Sequence, residues 1–276
     1  MKFTFLGTAA AEGMPAVFCN CKTCRQARKN GGKDIRTRSQ SIINDEFLLD
    51  LPADTYLHFL QNGIEGHKIK YLFVTHSHQD HFYIDELQMR HGAFAHDMQV
   101  PALKIYCSKG AYKKYENTNK TIGNTENVEV TLVKPYERVF AGDYEVIPLP
   151  ARHFEGDGAV IYIIKHSGKT VLYAHDTGYL YDEVFEYIEN EKLRFDFITF
   201  DCTNINLNFD DNSTHMGFEQ LSRVVNRFKA CGAVDDNTVM YVNHFSHNGD
   251  ALFENLEKRA ASYGFKVSYD GLTVNI

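Results

Sequence analysis

The sequence has no excess of positive charge: 29 lysines and arginines stand against 36 aspartates and glutamates, a formal net charge of -7 over 276 residues. Without a basic field the chain is not drawn to nucleic acid or to an anionic membrane surface, so an anionic ligand must be held locally. No uninterrupted apolar stretch approaches about 18 residues, the length that spans a bilayer. The start, MKFTFLGTAAAEG, has one lysine but no apolar core region and runs into a glycine-punctuated turn. No secretory signal is therefore expected, and the expected location is the cytoplasm. Repeats, low-complexity tracts and proline/serine linkers are also missing, and 43% hydrophobic residues suffice for a sizeable core, so one domain over residues 1–276 is expected. Six cysteines in such a compartment are poor disulfide candidates. Three of them, Cys19, Cys21 and Cys24 in FCNCKTC, have a spacing that suits a metal better than bridges, whereas Cys107, Cys202 and Cys231 read as ordinary buried thiols.

What the chain does contain is a succession of short strand-like runs, among them KFTFLG, EFLLDL, KYLFVTH, YEVIPLPA, KTVLYAHD, FDFITFD and TVMYVNH. Many end at a histidine or an aspartate. Helices are predicted over Phe82 to Ala95, Tyr179 to Lys192, Met216 to Ala230 and Asp250 to Tyr263, where apolar residues recur at three-to-four spacing. The mixture predicts an α/β protein with two sheets sandwiched between helices rather than a doubly wound parallel sheet. Residues 115–129, YENTNKTIGNTENVE, are polar and predict a surface loop.

The densest chemistry lies in YLFVTHSHQDHF, where an apolar strand delivers His76, His78, Asp80 and His81 within six residues. His76 and His78 are two apart, so in an extended segment they point the same way and can share a cation. Imidazole with carboxylate suits divalent zinc, manganese or iron. One such loop cannot complete a coordination sphere, and three further strand ends offer ligands: His153 after YEVIPLPAR, Asp176 after KTVLYAH and His244 after TVMYVN.

In this order the motifs resemble those of the metallo-β-lactamase-fold hydrolases, a four-layer αββα sandwich. The resemblance implies that His76, His78 and His153 bind one metal, that Asp80, His81 and His244 bind a second, and that Asp176 bridges them. Two cations about 3.5–4 Å apart lower the pKa of a shared water and clamp the oxygens of an ester. His175 and Arg152 alternate away from their neighbours on the strand, so a structural role is expected for His175 and a phosphate-anchoring role is not favoured for Arg152.

Cys19, Cys21 and Cys24 supply three thiolates, and a closed structural zinc site wants a fourth ligand. His247, three residues after His244, can provide it. Together, LGTAAAEGMPAVFCNCKTC, THSHQDH, LPARH, HDT and NHFSH resemble one branch of the superfamily, the cyclic phosphodiesterase of the carbon–phosphorus lyase pathway for phosphonate breakdown. That resemblance implies a catalytic general-acid or phosphate-binding role for His215 in NSTHMGFEQL. Ser213 or Thr214, residue types that favour helix starts, is expected to cap the helix that follows. Asp80 is expected to matter for catalysis as a ligand. The expected activity is hydrolysis of a small, cyclic ribose-type phosphate diester by metal-activated hydroxide, with two manganese, zinc or iron ions in the catalytic site, one structural zinc, no nucleic-acid or membrane partner, and a homodimer admitted as an assembly. A thioester or lactone hydrolase, and a non-catalytic cofactor-biosynthesis protein with a similar cysteine loop, are the alternatives. A tRNA-processing nuclease would need a basic arm that residues 115–129 do not provide.

Overall fold

The computed structural model describes residues 1–122 and 127–276. Fourteen strands among these residues form two seven-stranded sheets. The first runs in the order β14 (Thr273–Asn275), β1 (Lys2–Gly7), β2 (Gln40–Ile43), β3 (Phe47–Leu49), β4 (Tyr71–Val74), β5 (Leu103–Cys107), β6 (Val128–Leu132). The second runs β13 (Lys266–Val267), β12 (Val239–Asn243), β11 (Phe197–Asp201), β10 (Lys169–Ala174), β9 (Val160–His166), β8 (Tyr144–Pro150), β7 (Val139–Ala141).

Period-two alternation divides each strand between two cores. Phe47, Leu49 and Phe73 of the first sheet meet Tyr162, Ile164, Val171, Tyr173 and Phe197 of the second in a shared interior. The intervening residues face outwards. Leu48, Leu72 and Val74 pack with Ala111 of helix α3 (Lys109–Ile122). Ile161, Ile163, Leu172 and Ile198 pack under α4 (Asp182–Asn190), α5 (Phe218–Ala230) and α6 (Phe253–Ser262). The layers are thus helix, sheet, sheet, helix, as the sandwich reading expects.

Three of the four predicted helices are α4, α5 and α6, α4 and α6 shortened at both ends and α5 at its start alone. The fourth, Phe82 to Ala95, is a 3₁₀ segment over Ile84–Arg90 whose Ile84 and Leu87 are buried. The expected polar loop at 115–129 is corrected in part: residues up to Ile122 belong to α3, and 123–126 lie outside the described residues. Besides Ala111, α3 meets the sheet through the partly buried Tyr112 and Tyr115, so its apolar stripe is too short to stand out in a polar sequence. Two further helices, Lys22–Asn30 (α1) and Thr55–Asn62 (α2), were not anticipated. None of the described helices is long and apolar enough to cross a membrane.

Phe73 is fully buried, with ring centroids of Phe47 and Tyr106 stacked at 4.6 Å on each and Tyr162 edge-on at 5.4 Å. Phe73→Ala should lower unfolding free energy by about 3–5 kcal/mol. Urea titration measures this, and a loss below about 1 kcal/mol would mean that the intersheet core relaxes around the cavity.

The topology sets up one functional edge. β8 and β10 both run antiparallel to β9, while β11 and β12 run parallel to β10, so the carboxyl ends of β8, β10, β11 and β12 emerge together. The end of β4 joins them: Tyr162 Oη donates to the Val74 carbonyl at 2.7 Å, and Val160 N donates to that of Thr75 at 3.0 Å.

Candidate metal centre

At this edge the structure brings together the seven candidate ligands singled out in the sequence. One group has ligand atoms of His76, His78 and His153 within 4.8 Å of one another; the other has those of Asp80, His81, Asp176 and His244. Asp176 Oδ2 stands between them, 3.5 Å from His76 Nε2, 3.3 Å from His244 Nε2 and in short contact with His81 Nε2. Asp176 is 2% exposed and sits at φ +49°, as His244 sits at +62°, the left-handed conformation that turns each side chain off its strand end into the site.

Four of the five imidazoles are oriented from behind. Thr75 Oγ1 donates to Asp50 Oδ1 at 2.9 Å, so it accepts from His76 Nδ1 at 3.0 Å. Asp50 Oδ2 accepts from His81 Nδ1 at 2.8 Å. Thr203 Oγ1 donates to the His244 carbonyl at 2.7 Å and accepts from its Nδ1 at 2.8 Å. His153 Nδ1 faces the Thr214 carbonyl at 3.4 Å. In all four the outer nitrogen faces its partner and Nε2 faces inward.

The inward nitrogens crowd one another. His153 Nε2 lies 3.1 Å from His78 Nδ1, and His81 Nε2 lies 3.2 Å from His244 Nε2. These separations approach the roughly 3.3 Å between two nitrogens of a tetrahedral zinc sphere. His76 Nε2 is buried with no hydrogen-bond partner. Burial would push His81 down, but Asp176, Asp50 and Asp80 outweigh it and hold the imidazole well above its usual range. The pocket therefore calls for positive charge, and its His/Asp clusters fit divalent cations.

His215 stands beside this pair. Its Nδ1 donates to Asp201 Oδ2 at 2.9 Å and lies 3.3 Å from Asp176 Oδ1, which leaves Nε2 for the cavity. Burial lowers its pKa, but Asp201 and Asp176 overcome that and raise it to about 9. Ser213 and Thr214 do not cap the next helix. Its N-cap is Gly217, whose N–H donates to Gln220 Oε1 at 3.1 Å. His175 points the other way, buried against Thr199 Oγ1 at 2.7 Å. Arg152 is also turned aside, donating to the Tyr179 carbonyl at 2.9 Å with its guanidinium 4.2 Å from the Tyr181 ring centroid.

A third group joins Cys19, Cys21 and Cys24 to His247. His247 Nδ1 is 3.4 Å from Cys21 Sγ and 3.7 Å from Cys19 Sγ, near the roughly 3.6 Å expected between sulfur and nitrogen around tetrahedral zinc. Cys21 is the N-cap of α1. The Cys24 N–H at that helix start outweighs burial and lowers its thiol to about 6, whereas burial raises Cys24 to about 11. Cys107 and Cys202 are buried thiols as expected, and Cys231 is half-buried.

Sequence reasoning missed the supporting residues Asp50, Asp201, Thr75 and Thr203. The two aspartates were open to notice, since each ends a strand-like run, FLLD and FITFD, just as the ligands do.

The sequence profile of the beta-lactamase superfamily domain matches residues 52–244. No curated protein matches the chain by sequence. Among solved structures, a diphosphatase of the PhnP family is similar at TM-score 0.74 and 21% identity over 99% of this chain and 97% of that one. Zn²⁺-bound PqqB from Methylobacterium extorquens is similar at TM-score 0.75 and 15% identity over 100% of both chains. The short form of human tRNase Z is similar at TM-score 0.65 and 16% identity over 100% of this chain and 99% of that one. At these identities the structural likeness carries the fold.

Proposed function

The chain belongs to the β-lactamase superfamily, and from that premise we propose that it is a metal-dependent hydrolase of small phosphate diesters, a cyclic sugar phosphate being the favoured kind. The observation that carries this reading is the position of Asp176, one carboxylate facing the imidazoles of both ligand groups. His76, His78 and His153 would hold one divalent ion, Asp80, His81 and His244 the other, and Asp176 both; zinc, manganese and iron all suit this set. When bound, such a pair supplies Lewis-acid activation of water and neutralises charge on the phosphoryl oxygens.

The chain's own residues do the rest. Asp50, Thr75 and Thr203 hold three imidazoles in the tautomer that presents Nε2 inward. Asp201 holds His215 so that Nε2 faces the cavity, where it can give a proton to the departing oxygen. The cavity, about 460 Å³, has no lysine or arginine among its described lining residues. That favours the single charge of a small diester over a monoester or a polynucleotide, in line with the net charge of -7. The PhnP-family diphosphatase shares this fold, which supports phosphorus chemistry over thioester or lactone cleavage.

The discriminating measurement is kcat for bis-p-nitrophenyl phosphate and for a ribose cyclic phosphate, native against His215→Ala. A sugar alkoxide needs a proton and p-nitrophenolate hardly does, so the variant should lose about 10²–10⁴-fold on the ribose cyclic phosphate and far less on bis-p-nitrophenyl phosphate. Equal losses would remove the general-acid step. No diester turnover alongside activity on a thioester panel would replace the phosphodiesterase reading itself.

A further inference from the structure

One part of the cavity lining lies outside the His/Asp ligand groups and carries a carboxylate of its own. Glu12 stands there with Ser246 and Asn248, and the same cavity reaches His215, Thr214 and the exposed ring of Phe154. The turn that carries Glu12 is tightly held: Ala10 N donates to the Phe245 carbonyl at 3.0 Å, and Gly13 N to that of Ala10 at 3.0 Å. Gly13 closes it at φ +72°, a conformation that glycine adopts without penalty. Ser246 Oγ donates to Glu12 Oε1 at 2.6 Å, and His247 Nε2 lies 3.9 Å from the same oxygen. One carboxylate oxygen is thereby fixed, while Oε2 meets no protein donor among the described residues.

A carboxylate on this wall has a chemical consequence. It accepts hydrogen bonds and offers none, and with no lysine or arginine among the described lining residues it repels a second anionic group. The moiety that fits beside Glu12 is therefore neutral and rich in hydroxyls. Resting on the phosphodiesterase reading, we propose that Glu12 is a specificity-determining residue that receives the hydroxyls of a sugar-like substrate through its free oxygen. His247 and Ser246 act as positioning residues for it, so the cysteine–histidine site also forms part of the substrate wall. Phe154, 61% exposed with its ring 5.7 Å from that of His78, lines the same cavity.

The test compares two five-membered cyclic diesters, a ribose cyclic phosphate and ethylene phosphate, which lacks hydroxyls, in the native protein, Glu12→Gln and Glu12→Ala. A hydrogen bond to a charged group is at stake, so Glu12→Ala should lower kcat/KM for the ribose substrate about 10- to 100-fold, chiefly through KM, and leave ethylene phosphate within about twofold. Glu12→Gln should fall between them. Calorimetric titration with the ring-opened products, ribose phosphate and 2-hydroxyethyl phosphate, reads the same preference without turnover. Hydroxyl-dependent binding that Glu12→Ala abolishes would uphold the assignment even if the native protein hydrolysed neither diester, an outcome that would overturn only the phosphodiesterase reading. Equal losses on both diesters, or product binding indifferent to Glu12, would overturn the assignment of Glu12.

Discussion

Asp176→Asn protein should fold and yet lose diester hydrolysis by about 10³-fold or more, the scale set by removing a central electrostatic element from an active site. Asparagine is the informative replacement because it accepts the left-handed backbone of this position, φ +49°, with little strain, whereas alanine would add a conformational cost to the chemical one. It keeps the volume of the side chain and removes the charge that faces His76, His81 and His244. On the bridging assignment, loss of that charge leaves both ions short of a ligand, so elemental analysis should find fewer than two divalent ions per chain in the catalytic site. Asp80→Ala, which strips a ligand from one group alone, should leave more metal bound and a smaller defect. An Asp176→Asn protein with both ions and near-native kcat would end the bridging assignment.

The second large effect concerns stability. Cys24→Ser should lower the melting temperature by on the order of 10 °C while kcat per folded molecule falls much less. Cys24 is fully buried, and its thiol lies in the group formed by Cys19, Cys21 and His247, separate from the two His/Asp groups. Structural zinc contributes about 10–16 kcal/mol in isolated finger peptides, but here two sheets already supply a core, so a loss on the order of 3–5 kcal/mol is the expected share. Calorimetry of native and variant protein, each with zinc content determined, measures it. Thiols at Cys19, Cys21 and Cys24 that titrate freely with a disulfide reagent in the native protein, with no zinc retained, would remove this site.

Much of the architecture was open to inspection in the residues because its signals are local. Alternation in runs such as FITF and VLYA places side chains on two faces of a strand, and the three-to-four spacing of Phe218, Leu221, Val224, Val225 and Phe228 makes α5. α3 escaped for the same reason in reverse. Its packing stripe is short, and a helix held by a few tyrosines and an alanine looks like polar loop until the sheet beneath it is present.

Within the site, residue type and position at a strand end sufficed to select His76, His78, Asp80, His81, His153, Asp176 and His244, since apolar runs that stop at metal-capable side chains are visible in one dimension. The sequence by itself thus determined the strands, the principal helices and the set of candidate ligands. Which atom each histidine turns inward was decided only by tertiary structure, through partners as distant in the chain as Asp50 for His81 and Thr203 for His244. The opening beside Glu12 was decided in the same way, because Ser246 and His247 reach that turn from the far end of the chain. Hydrogen bonds and electrostatic contacts act over a few ångströms of space, and folding is what turns hundreds of residues of separation into that distance.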